Sequence, residues 1–63
     1  MDRYAVTKFG VDKKYNEYRK LLWEGLAESK EDAISKALEA LWDNEEDRDW
    51  CKPFLQASLY ELN

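Results

Sequence analysis

Residues 18–28 read YRKLLWEGLAE, and whether they form a strand or a helix decides the fold. As a strand, Leu21, Trp23, Gly25 and Ala27 share one face, and Leu22, Glu24 and Leu26 share the other. As a helix, Tyr15, Tyr18, Leu22 and Leu26 recur along one stripe, and Asp12 could cap it. Two features favour the strand. Gly25 sits inside the segment, where it would cost a helix about 1 kcal/mol relative to Ala. Ser29, just beyond, has the character of a helix N-cap, which needs non-helical backbone. A helix running to Glu28 would therefore have to break with neither Gly nor Pro at the break. The alternative is an αα-hairpin flanked by short strands.

Downstream, SKEDAISKALEALW (29–42) carries the plainest helical pattern. Ser29 and Asp32 have capping-box spacing, and Glu31 and Asp32 place negative charge in the first turn, where the helix dipole favours it. Asp32 and Lys36 form an i,i+4 pair. Ile34, Ala37, Leu38 and Leu41 fall on one face, widened by Ala33 and Ala40.

On either side the pattern changes to that of strands. RYAVTKFGV, about Arg3 to Val11, is rich in β-branched and aromatic residues, and DKKYNE after it has turn composition. Phe54 to Leu62 (FLQASLYEL) follows Pro53 and alternates, with Leu55, Ala57 and Leu59 on one face. The expected order is β-β-α-β: a single α+β domain over 1–63, a three-stranded antiparallel sheet with one helix on one face.

A chain of 63 residues buries only about 60% of its unfolded surface, which implies modest stability. With 44% apolar and 14% aromatic residues it is too hydrophobic for intrinsic disorder. Its one cysteine, Cys51, excludes an internal disulfide, suits a reducing cytoplasm, and reads as a small apolar residue beside a strand start. No apolar run approaches a membrane span or a signal-peptide core, so a cytoplasmic protein is expected.

The absence of histidine removes His-based acid/base and nucleophilic chemistry and most zinc patterns. The two glycines, Gly10 and Gly25, make no phosphate loop. Carboxylate pairs are abundant, but so small a domain has little room for the enclosed pocket that would separate their pKa values. No enzymatic activity, cofactor or metal is expected.

Charge is unevenly placed. Residues 1–22 carry six basic and three acidic side chains, and residues 23–63 carry four basic and eleven acidic ones. The net charge of −4 and the lack of a long basic stripe argue against nucleic acid as a partner. The residual candidates for it are Lys13, Lys14, Arg19 and Lys20, with Tyr15 and Tyr18 to stack on bases.

The acids concentrate in DNEEDRDW (43–50), five in seven positions. As a calcium loop starting at Asp43 it fails at two defining positions, which hold Arg48 and Phe54. One reading is a solvated connection between helix and strand. The other takes Asp43, Glu45 and Glu46 as unfavourably placed near a helix C-terminus, hence retained for a use. Trp42, Asp43, Glu45, Glu46, Asp47, Asp49 and Trp50 would then bind a basic protein surface, with the tryptophans as anchors. A third candidate surface is the uncovered sheet face: if Leu21 and Trp23 face the helix, Tyr18, Leu22 and Leu26 form an apolar patch for a homodimer.

The junction AESKEDAISKAL (27–38), a strand end running into a capped helix with Ala27-x-Ser29-x-x-x-Ala33, resembles that of small phage and mobile-element proteins. Among them are early phage inhibitors of bacterial RNA polymerase with a strand-strand-helix-strand order. The resemblance implies an α+β fold and a non-enzymatic protein that binds and inhibits a host protein. It carries over no individual residue.

Overall fold

A computed structural model describes residues 1–60. Asp2–Val11 form β1, Glu17–Ala27 form β2, Lys30–Leu41 form α1, Glu45–Cys51 form α2, and Leu55–Leu59 form β3. A 3-10 turn, Lys52–Phe54, joins α2 to β3. The sheet is antiparallel, in the order β2-β1-β3. Residues 18–27 are thus strand, as the Gly25 and Ser29 arguments require. Of the expected third strand, Glu61 and Leu62 lie outside the described residues, and Phe54 ends the 3-10 turn instead.

The β1–β2 hairpin closes through a tight loop. Asp12 N–H donates to the Asn16 carbonyl at 3.0 Å, and Tyr15 N–H donates to the Asp12 carbonyl at 3.1 Å. The Asp12 carboxylate accepts from the Lys14 and Asn16 amides at 2.8 and 2.9 Å. These bonds hold its pKa below the ordinary aspartate value, the Asn16 amide being the main cause. Tyr15 adopts φ 65°, the left-handed residue that closes three-residue hairpin loops and is normally Gly or Asn.

Alternation along β2 is broken once. Val6 pairs with Trp23, but Thr7 pairs with Leu21, so Leu22 is an extra residue in a β-bulge. The bulge shifts the phase of everything before it. Ala27, Gly25 and Trp23 lie on the face that carries Tyr4 and Val6, and so do Lys20 and Tyr18. Leu26, Glu24, Leu21, Arg19 and Glu17 lie on the other. The expectation that Leu21 turns toward the helix and Leu22 away from it is therefore corrected. Leu22 is half-buried and packs against the core, while Leu21 and Leu26 are exposed on the open face.

The start of α1 is as the sequence predicts. Ser29 Oγ accepts from Asp32 N–H at 3.1 Å, and Asp32 Oδ2 accepts from Glu28 N–H at 3.0 Å and meets Lys36 Nζ at 3.3 Å. The Glu28 amide first, and then Lys36, lower the Asp32 pKa. The helix lays Ala33, Ala37 and Leu38 on the sheet, against Tyr4, Val6, Ala27, Leu55 and Ala57. Four of these eight are alanines with at most 4% exposure, so helix and sheet approach closely. The molecule is correspondingly thin, 38 × 33 × 14 Å. Val6 is the largest side chain that is wholly enclosed.

Candidate functional site

Residues 45–51, read from sequence as part of a connector, form α2 instead. The cause is local. Trp42 leaves α1 in extended conformation, and Asn44 starts a new helix, its side-chain oxygen accepting from Glu46 N–H at 2.7 Å. Glu45, Glu46 and Asp47 then occupy a first turn, where negative charge is favourable. The expectation that Glu45 and Glu46 sit unfavourably at a helix C-terminus is thus reversed. Only Asp43 stands just beyond the end of α1. Asn44 followed by three acids was the available signal, masked by the larger signal of the charge run.

Helical phase divides the run. Glu45, Arg48 and Asp49 line a crevice against Ser35 and Glu39 of α1, and Arg48 Nε donates to the Trp42 carbonyl at 2.8 Å. Trp42 is half-buried and packs against the core. Glu46 and Asp47 share the outer side with Trp50, which lies three and four positions along. Trp50 is 74% exposed.

Trp50 does not stand alone. Its ring and that of Phe54 meet at 6.4 Å and 56°, within the range of tilted aromatic pairs. Both face a shallow groove of about 260 Å³, whose far wall is Tyr18 and whose floor includes Lys8, Gly10 and Cys51. The Tyr18 ring fills the space above Gly10, its cross-strand partner, where a Cβ would collide with it. Cys51 packs half-buried against the core. Phe54 and Gly10 were not singled out from sequence. Only the fold brings a 3-10 turn and a hairpin strand together.

The other sequence candidates are dispersed. Tyr18, Leu22 and Leu26 do not form one patch: Tyr18 borders the groove, Leu22 is in the core margin and Leu26 is on the open face. Lys13, Lys14 and Tyr15 sit at the hairpin tip, while Arg19 and Lys20 point to opposite faces of the sheet. Arg19 reaches across the open face to donate to the Gln56 side chain. Among the described residues no three carboxylate, cysteine or histidine side chains gather as a metal-holding group. No described helix is long and apolar enough to cross a membrane.

The fold is that of a small α+β domain with a rim of acids beside an aromatic groove. No protein-family model, curated protein or solved structure matches the chain.

Proposed function

We propose that this chain is a non-enzymatic binding protein that docks on a basic surface of another protein through the outer side of α2 and the adjoining groove. Trp50 is the anchor, Phe54 and Tyr18 shape the apolar site beside it, and Glu46 and Asp47 supply the complementary charge. Occupation of a basic surface that otherwise holds nucleic acid would make the protein an inhibitor of a host target, the role that its resemblance to phage proteins implies.

The observation that carries the reading is the exposure of Trp50, 74% in a domain with so little enclosed volume. A tryptophan buries about 150–250 Å² when packed, and this one, apart from its contact with Phe54, leaves most of that surface open. Exposed aromatic anchors with a charged rim have the composition of interface hot spots. The flanking acids add rate and specificity by steering toward a basic partner.

The test is capture from the lysate of the source organism with wild-type protein and with Trp50→Ala, followed by salt titration of the captured complex. The expected result is one partner with a basic surface, lost with Trp50→Ala at unchanged folding, and released as salt rises. Equal capture by Trp50→Ala and the charge-reversed Glu46→Lys variant would overturn the proposal.

A further inference from the structure

We propose that β2 pairs through its free edge with β2 of a second copy, forming a two-fold symmetric dimer with one continuous six-stranded sheet. This edge adjoins the Trp50 groove at Tyr18 but does not include Trp50. β2 has eleven residues and, among the described residues, a neighbouring strand on one side only.

The phase of its edge follows from two bonds. Asp12 N–H to the Asn16 carbonyl makes Gly10–Tyr18 and Lys8–Lys20 the hydrogen-bonded pairs of the hairpin, since bonded and non-bonded pairs alternate. Glu17, Arg19 and Leu21 then turn their backbone groups outward. Tyr60 N–H to the Arg3 carbonyl turns Arg3, Ala5 and Thr7 toward β3 and Tyr4 and Val6 toward β2. Past the bulge, Glu24 and Leu26 are therefore the outward residues. Lys36 Nζ, reaching round from α1, donates to the Leu26 carbonyl at 3.0 Å, as an outward carbonyl allows. It occupies that end of the edge and leaves the stretch from Glu17 to Glu24 unpaired by any described strand.

The sequence of that stretch complements itself. With the two-fold axis between Leu21 and Leu22, Arg19 of each copy lies opposite Glu24 of the other on the open face, and the backbone of Leu21 lies opposite that of Leu22. Both bulges fall at the axis, so the spacing from Leu21 to Glu24 in one strand matches that from Leu22 to Arg19 in the other. Neighbouring registers are worse. Two residues one way sets Glu17 against Glu24, and two the other way sets Leu21 against Glu24 and Arg19 against Leu26. Pairing the first halves alone sets Arg19 against itself. Like charges opposed across a ladder are destabilising. In the single chain Arg19 reaches inward across the sheet to Gln56; on pairing its side chain turns to the edge, where its guanidinium fork meets the Glu24 carboxylate of the second copy. Leu21, 53% exposed, lies beside the axis on the open face of both copies.

Sedimentation equilibrium tests this at about 0.5 mM chain, where even weak specific association is populated. Wild type is expected to be dimeric. Arg19→Glu and Glu24→Arg should each weaken the dimer by at least about tenfold, or 1.4 kcal/mol, with circular dichroism unchanged. The combined charge swap should restore it, and Trp50→Ala should leave it intact. A monomeric wild type, or a folded double variant that stays monomeric, overturns the proposal.

Discussion

The Tyr18 ring occupies the space that a side chain at Gly10 would need, so these cross-strand partners fit only because one of them has none. The colliding atoms are the outer end of a ring that is 47% exposed, which can swing away at small cost. Alanine in a strand also loses less conformational entropy than glycine, by roughly 0.5–1 kcal/mol. Gly10→Ala is expected to change stability by less than about 1 kcal/mol while displacing Tyr18 and opening the groove. Urea unfolding and partner binding together check this: stability held, affinity reduced.

Tyr15 is 88% exposed and contributes little packing, yet holds φ 65°. A non-glycine residue there costs about 1–2 kcal/mol. Part of that returns when glycine makes the unfolded chain more flexible. Tyr15→Gly is expected to raise stability by about 0.5–1 kcal/mol, seen as a higher urea midpoint at constant slope. A lower midpoint would mean that the Tyr15 ring has contacts worth more than its strain.

Asp12 and Asp32 both have pKa values lowered by backbone amides, of Asn16 and Glu28 respectively. A carboxylate whose folded-state pKa lies below its unfolded value binds fewer protons when folded. Its contribution is therefore complete above the ordinary aspartate range, near pH 4, and is lost as pH falls through the lowered folded-state values. Unfolding midpoints should fall from pH 5 toward pH 2, and the fall should be shallower in Asp12→Asn and Asp32→Asn.

Ala37 is fully enclosed between α1 and the sheet. Its replacement by Leu adds volume where the layers already touch, at a cost of about 1–3 kcal/mol. The same change at Ala40, which is exposed, should be close to neutral. The pair of midpoints separates overpacking from any general effect of leucine on the helix.

How far the sequence reached can be judged from three places. β2 was legible because Gly25 and the cap at Ser29 each exclude a helix on independent grounds. Its facial assignment was not, because a bulge is one unpaired residue with no compositional mark, and Leu22 looks the same in either phase. For α2, Asn44 carried a start signal, but a seven-residue helix has no buried stripe to betray it: none of its residues is fully buried. The groove lay furthest from view, since Tyr18, Trp50 and Phe54 meet only when the hairpin, helix and 3-10 turn converge.

Because β1 is flanked on both sides, its successive residues bond alternately to β2 and to β3, and baring all of its amides requires both ladders to open. With alanines filling much of the space beneath the helix, backbone pairing has a large share in cooperativity. Amide hydrogen exchange should rank the strands accordingly. In protein dilute enough to be monomeric, the amides of Tyr4 to Lys8, which β1 shares between its two neighbours, would exchange last, at the rate of global unfolding, and the outward amides of β2 well before them.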